Sequence, residues 1–128
     1  MGLKTWFADQ REQAKADPVI ATFFAGDKPL ALYTHTIRSG GEQIPLSEVE
    51  VHIESGEELQ SRVTVTRLVG LGLFALLAKK KTGGERYLTV EGGDTLWMVE
   101  VPRKKVNDAV RFMGRIREQA RREVATQA

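Results

Sequence analysis

Cysteine is absent from the 128 residues of the sequence, and histidine occurs only twice. Without cysteine the chain has no disulfide framework, no thiolate nucleophile and no thiolate metal ligand, and this composition fits a reducing compartment. Any metal ligands must therefore come from His, Asp and Glu. A cytoplasmic location is expected, because Lys4, Asp9 and Arg11 interrupt the first residues, where a secretory signal requires an apolar run.

Long apolar runs are missing too. The longest uncharged run, Leu68 to Ala78, has eleven residues, whereas a helix needs about 20 apolar residues to cross a bilayer. The length and a hydrophobic content of 41% suit one ordinary globular domain. Such a chain is too short for a dinucleotide domain joined to a substrate domain.

The formal net charge of +2 is small, but the charge is unevenly distributed. Residues 1–60 contain five Lys or Arg against ten Asp or Glu, and residues 102–128 contain eight against three. The later segment therefore attracts anions. Nucleic-acid contact through its arginines is one interpretation, but the solvated face of an amphipathic helix is the one we favour.

The first 28 residues predict a helical arm. Residues 3–16 are rich in Ala, Gln, Glu, Lys and Arg, which favours a helix. Asp17 is suited to cap a second short helix over Pro18 to Ala25, which Gly26 would end. The apolar side chains of this arm are Leu3, Trp6, Phe7, Val19, Ile20, Phe23 and Phe24.

After Pro29 the pattern changes to the alternation that is typical of strands. Glu48 to Glu54 places Val49, Val51 and Ile53 on a buried face and Glu50, His52 and Glu54 on a wet one. Similar patterns predict strands over Leu30 to Ile37, Glu42 to Leu46 and Ser61 to Arg67. The segment Leu68 to Lys81 fits either a buried strand or a short helix.

Two elements near the end of the chain have the clearest signals. Glu85 to Glu91 and Thr95 to Val101 predict a hairpin around Gly92-Gly93-Asp94. From Arg103 the helical period returns, with a stripe formed by Val106, Ala109, Val110, Phe112, Met113, Ile116, Ala120 and Val124. The expected order is helix, six or seven short strands, helix, which is an α+β fold.

This order, and one stretch of sequence, resemble a known family. The stretch runs from Arg62-Val-Thr-Val-Thr-Arg to Tyr87-Leu-Thr-Val-Glu91 and continues through Trp97-Met-Val-Glu-Val101 and the final helix. It is similar to small bacterial and bacteriophage proteins with a pleckstrin-homology-like (PH-like, GRAM-like) domain. The resemblance implies a bent antiparallel β-sandwich or barrel over residues 29–125, closed by the C-terminal amphipathic helix, with an extra helix before it.

The functional implication of the resemblance is a binding platform. PH-like domains generally bind phospholipid headgroups, peptides or other proteins without catalysis, so the expectation is a non-enzymatic module that is phage-encoded and acts on a protein partner. Lipid-binding members carry several cations between their first two strands. Here Arg38-Ser39-Gly40-Gly41 supplies one cation, which argues against phosphoinositide binding.

Two surfaces are candidates for such binding. Trp6, Phe7, Phe23 and Phe24 give the arm more apolar surface than a solvated segment should show, so they either pack on the chain's own domain or contact a partner, including a second copy. The alternative surface is anionic membrane, which Leu71, Leu73 and Phe74 would enter while Lys79, Lys80 and Lys81 contact headgroups.

The other motifs indicate no chemistry. Gly70-Leu71-Gly72-Leu73-Phe74-Ala75 matches a dinucleotide fingerprint but lacks the long helix that the fingerprint requires. The row Glu50-x-His52-x-Glu54 contains metal-ligating side chains at flat strand spacing, which rarely brings three ligands together, so a solvated strand face is expected. No acid–base pair or nucleophile motif is present. We therefore expect neither a cofactor, nor a bound metal, nor a small-molecule substrate.

Overall fold

The computed structural model describes residues 17–25, 29–63 and 86–127. Several predicted features lie outside these residues. They are the helix over 3–16 with Trp6 and Phe7, the segment 64–85 with Leu71, Leu73, Phe74, Lys79, Lys80 and Lys81, and most of the predicted strand Ser61 to Arg67.

The first sheet contains four antiparallel strands in chain order. They are β1 (Ala21–Phe23), β2 (Leu30–Leu32), β3 (Thr36–Ser39) and β4 (Glu42–Pro45). Gly40 and Gly41 join β3 to β4 with φ of 54° and 86°, a region that glycine adopts without a steric penalty. The single strand predicted over Leu30 to Ile37 is wrong, because the chain turns after β2: the N–H of Tyr33 donates to the carbonyl of Thr36 at 2.8 Å, and β3 pairs back on β2. Alternate apolar residues of β2, β3 and β4 are buried.

The predicted helix over Pro18 to Ala25 is wrong, because β1 occupies its centre. The backbone N–H of Ile20 donates to the carbonyl of Leu32 at 2.8 Å, and Phe23 lies opposite Leu30. Asp17 does not cap a helix. Its carboxylate accepts hydrogen bonds from the N–H of Thr34 and from Arg38 Nη2, so pairing with the sheet outweighs the local helix signal.

The second sheet contains β5 (Glu50–Glu54), β6 (Arg86–Gly92) and β7 (Thr95–Val101), in the order β5-β6-β7. Val51 lies opposite Val90, which lies opposite Trp97 on the other side. Gly93, with φ of 56°, forms the tight turn between β6 and β7. The predicted hairpin is therefore confirmed.

A short helix, α1 (Gly56–Arg62), follows β5 and covers the outer face of the second sheet. Ser55 caps it, because its hydroxyl accepts a hydrogen bond from the N–H of Glu58 at 3.2 Å. Ser61 and Arg62 belong to this helix, so the predicted strand over Ser61 to Arg67 is wrong at its start. Leu59 and Val63 are buried against Tyr87 and Leu96.

The predicted C-terminal helix is confirmed as α2 (Val106–Gln127), which follows a 3₁₀ turn over Arg103–Lys105. Ala109, Phe112 and Ile116 are buried between the two sheets. Val110 and Val124, which the sequence pattern placed on the apolar stripe, are about half exposed, at 48% and 53%. Neither α1 nor α2 combines the length and apolarity that a membrane crossing requires.

The main core lies between the four-stranded sheet, the three-stranded sheet and α2. The ring of Phe23 stacks on that of Phe112, with centroids 5.8 Å apart. The described residues thus form an α+β fold of two antiparallel sheets closed by a C-terminal helix. This arrangement leaves β5 at one end of its sheet, next to α2.

Candidate functional site

A groove of about 580 Å³ lies between β5 and α2. Its lining is mostly apolar on the floor and basic on the helix side, and it consists of Val49, Glu50, Val51, His52, Gly114, Arg117, Ala120 and Arg121. In the part of the chain that the structure describes, β5 pairs with β6 alone. The outer edge of β5 therefore borders the groove.

The helix wall of the groove is shaped by one glycine and one arginine. A Cβ at Gly114 would meet no heavy atom within 4 Å, so the missing side chain leaves room above β5. Arg117 Nη2 donates a hydrogen bond to the carbonyl oxygen of Val51 at 2.9 Å. A backbone acceptor of β5 is therefore within reach of a cation on α2.

The outer face of the second sheet carries a polar cluster under α1. Glu54 and Glu91 are 6% and 7% exposed, and Thr89 is fully buried. The sequence pattern placed Glu54 on a wet face together with Glu50 and His52. That prediction is wrong for Glu54, because α1 covers this part of the face, and it holds for Glu50, which is exposed.

Arg62 contacts both buried carboxylates of the cluster. Its Nη2 lies 2.6 Å from Glu54 Oε1, and its Nε donates to both oxygens of the same carboxylate. Nη1 donates to Glu91 Oε1, and Thr89 Oγ1 donates to Glu54 Oε1 at 3.0 Å. Each buried carboxylate therefore has a charge-assisted hydrogen bond, as burial requires.

These contacts decide the ionisation of Glu54 and Arg62. Burial opposes the charged form of Glu54, but hydrogen bonds from Arg62 and Thr89 outweigh it, so the pKa of Glu54 lies below its ordinary value. The hydrogen bond to Glu54 raises the pKa of Arg62. The pair is therefore held in its charged state.

Next to this pair, His52 has a ring nitrogen without a hydrogen-bond partner. Its Nε2 has almost no accessible surface and receives no hydrogen bond from any described residue. The nearest carboxylate oxygen of Glu50 lies 3.9 Å away, beyond hydrogen-bond distance. One ligand atom each from Glu50, His52 and Glu91 lie within 4.8 Å of one another.

Of the predicted partner surface, the structure describes Phe23 and Phe24 only. Phe23 is 4% exposed and belongs to the core, so its side chain is not available to a partner. Phe24 is 60% exposed, and its carbonyl accepts a hydrogen bond from Lys105 Nζ. One ring of the predicted apolar surface therefore faces solvent, and Trp6 and Phe7 lie outside the described residues.

The arginines of α2 differ in their surroundings. Arg122 forms an ion pair with Glu118 one turn away, at 2.8 Å, and Arg111 lies 3.9 Å from Asp108. Among the described residues, Arg117 and Arg121 form no ion pair with a carboxylate. Arg115 has no carboxylate partner among these residues either, so what distinguishes Arg117 and Arg121 is that they line the groove.

The sequence interpretation missed the groove and the polar cluster for different reasons. Ser55-Gly56-Glu57-Glu58 has the spacing of a capping box, which marks a helix start and would have revealed α1 and the burial of Glu54. The groove had no such signal, because it depends on how α2 lies against β5. Comparison of the chain with known protein families, with curated proteins and with solved structures gave no match.

Proposed function

We propose that the chain is a non-enzymatic interaction module of PH-like architecture that binds an extended acidic segment of a partner protein in the groove beside β5. The architecture is supported by the order of elements, which is a four-stranded antiparallel sheet, a three-stranded one and a closing helix. This is the order that the sequence resemblance implies. The absence of cysteine supports a reducing location such as the cytoplasm.

The observation that carries the proposal is the position of β5 at the end of the sheet that the described residues form, facing α2 across a groove. The edge of a strand presents backbone N–H and C=O groups that an extended peptide can pair with, and neighbouring pockets then select its side chains. Because β5 spans Glu50–Glu54, it offers a template for a peptide strand of about five residues once Arg117 turns from the Val51 carbonyl to the peptide.

Charge defines which peptide fits. Arg117 and Arg121 lie on the α2 wall and have no carboxylate partner among the described residues, so acidic side chains of the peptide would be attracted to that wall. Glu50 on the opposite rim repels them. The apolar floor at Val49 and Val51 accepts the alternate, inward side chains of the peptide.

Partner contact through the N-terminal arm and membrane contact through residues 71–81 stay predictions from the sequence. Contact or self-association through Trp6, Phe7 and Phe24, and membrane contact through Lys79, Lys80 and Lys81, each depend on residues outside the described ranges. Phe24, which is exposed, offers a way to distinguish the first from the groove.

The test is selection from a phage-displayed library of unstructured peptides, with the full chain as bait. We expect enriched sequences with acidic residues next to alternating apolar ones. Their binding should be lost in the double variant Arg117→Glu/Arg121→Glu. Gly114→Leu should also block binding, because the added side chain enters the groove where a Cβ meets no other atom.

The matched control is Arg111→Glu/Arg115→Glu, which makes the same charge change on α2 away from the groove and should keep binding. Recovery of no peptides would contradict the proposal. So would peptides that bind the groove variants normally and lose affinity with Phe24→Asp, because this result would assign recognition to the arm.

A further inference from the structure

Three side chains with metal-ligating atoms converge on the outer face of the second sheet, at its β5–β6 side. Glu50 and His52 project from β5, and Glu91 lies opposite Glu50 on β6. Their ligand atoms lie within 4.8 Å of one another. From this geometry we propose that Glu50, His52 and Glu91 bind one divalent transition-metal ion, and that this ion is zinc.

The first support is the state of His52 Nε2. This nitrogen has almost no accessible surface and no hydrogen-bond partner among the described residues. A buried polar atom without a partner loses its hydration and gains nothing in exchange, which destabilises the fold. A metal ion would provide that partner, because neutral imidazole donates its ring nitrogen lone pair to zinc.

The second support is the charge around the cluster. Glu50, Glu54 and Glu91 bring three carboxylates together, and Arg62 is the only cation in contact with them among the described residues. Glu50 adds a carboxylate beside the two that Arg62 contacts, and this carboxylate attracts a cation. Arg62 also holds Glu91 through Oε1, and such a second contact orients a ligating carboxylate.

The distances require only a small adjustment. Zinc bonds to nitrogen and oxygen of about 2.1 Å put two ligand atoms at most about 4.2 Å apart, and the three ligand atoms already lie within 4.8 Å of one another. The side chain of Glu50 is 70% exposed, so it can turn inward without repacking the core. It also leaves an open side through which water can complete the coordination shell.

The ligand set favours a transition metal over magnesium or calcium. Magnesium and calcium prefer oxygen ligands alone, whereas imidazole combined with carboxylates suits zinc and its neighbours in the first transition row. The ion would bind at the rim of the β5 groove, but the site needs no peptide, so it does not depend on the proposed function.

The experiment is calorimetric titration of the metal-stripped full chain with Zn²⁺, together with visible absorption after addition of Co²⁺. We expect one ion per chain, and a cobalt spectrum with nitrogen and oxygen ligands. His52→Gln and Glu50→Gln should each weaken zinc binding by at least about tenfold. Circular dichroism of the same samples checks that the variants fold.

His35→Gln is the matched control, because His35 is the only other histidine and lies next to Glu123 on another surface. Its zinc affinity should equal that of the unmodified chain. The proposal is overturned if zinc does not bind, if binding survives Glu50→Gln and His52→Gln, if His35→Gln abolishes it, or if Mg²⁺ binds as tightly as Zn²⁺. Glu50→Gln alone suffices if His52→Gln does not fold, because Glu50 is exposed.

Discussion

Arg62 lies over the carboxylate of Glu54, with Nη2 2.6 Å from Oε1 and Nε in contact with both oxygens. The pair joins the last turn of α1 to the end of β5. The Arg62 side chain is 28% exposed, whereas that of Glu54 is 7% exposed. Removal of the arginine therefore leaves a buried carboxylate without its charged partner.

We expect Arg62→Met to destabilise the protein by about 3 kcal/mol, the lower end for a broken buried pair, because Arg62 keeps some exposure. Glu54→Gln/Arg62→Met should be less destabilised, since it buries no unpaired charge at Glu54. Urea unfolding of the two variants measures the difference. Equal destabilisation would show that the contribution of Arg62 does not depend on the charge of Glu54.

The second prediction concerns the core under α2. Phe112 is 3% exposed and stacks on Phe23, so Phe112→Ala should destabilise the protein by about 3 to 5 kcal/mol. Arg115→Ala, three residues further along the same helix and exposed, should change stability by less than about 0.5 kcal/mol. Thermal and urea unfolding provide the comparison. Similar values for the two variants would mean that α2 does not close the core.

The third prediction concerns two glycines. A Cβ at Gly92 would overlap Ile44 Cγ2 of the opposite sheet and lie 3.3 Å from the carbonyl oxygen of Glu48. Because Ile44 is fully buried, Gly92→Ala should destabilise the fold by about 1 to 3 kcal/mol. Gly114→Ala meets no atom and should stabilise α2 by up to about 1 kcal/mol. Opposite signs in urea unfolding are the expected result.

The fourth prediction concerns a pH-dependent contact between β2–β3 and α2. His35 Nδ1 lies 2.7 Å from Glu123 Oε2, and this hydrogen bond raises the pKa of His35 above 6.5. Proton NMR titration should show the raised value. Glu123→Gln should return the pKa of His35 toward its ordinary value. Glu118→Gln, which breaks the pair with Arg122 instead, should leave the pKa of His35 unchanged.

The sign of the accompanying stability effect follows from that raised value. The folded state binds the His35 proton more tightly than the unfolded state, so the contact stabilises the fold fully below pH 6.5. The contribution disappears as the pH rises through the folded-state pKa. The difference between the urea midpoints of the unmodified chain and of Glu123→Gln should therefore shrink as the pH rises through the pKa of His35. A constant difference would contradict the linkage.

Local signals made part of the fold predictable. Gly92-Gly93-Asp94 marks the β6–β7 turn because only a few residue types adopt positive φ there, and the 3.6-residue stripe of α2 comes from the need to bury one face. Asp17 and Pro18 gave an equally local signal for a helix over Pro18 to Ala25. The pairing of Ala21–Phe23 with β2 is more favourable than that helix. Three paired residues and the burial of Phe23 outweigh one capping residue.

The polar cluster of Glu54, Arg62, Thr89 and Glu91 was less predictable than the β6–β7 turn or α2. Alternation placed Glu54 and Glu50 on the same face correctly, but only the position of α1 decides that one is buried and the other exposed. The groove depends on contacts between residues far apart in the chain, such as Arg117 with Val51. No window of sequence contains both sides of such a contact.

The position of α2 in the chain also affects how the protein is made. This helix contacts the first sheet at Phe23 and the second at Val51, yet it is translated after both. At typical rates its 22 residues take a ribosome about 1 to 4 seconds to synthesise. Until α2 is complete, the inner faces of both sheets lack this cover, so the apolar surface that α2 buries stays exposed to any part of the chain that has already left the ribosome.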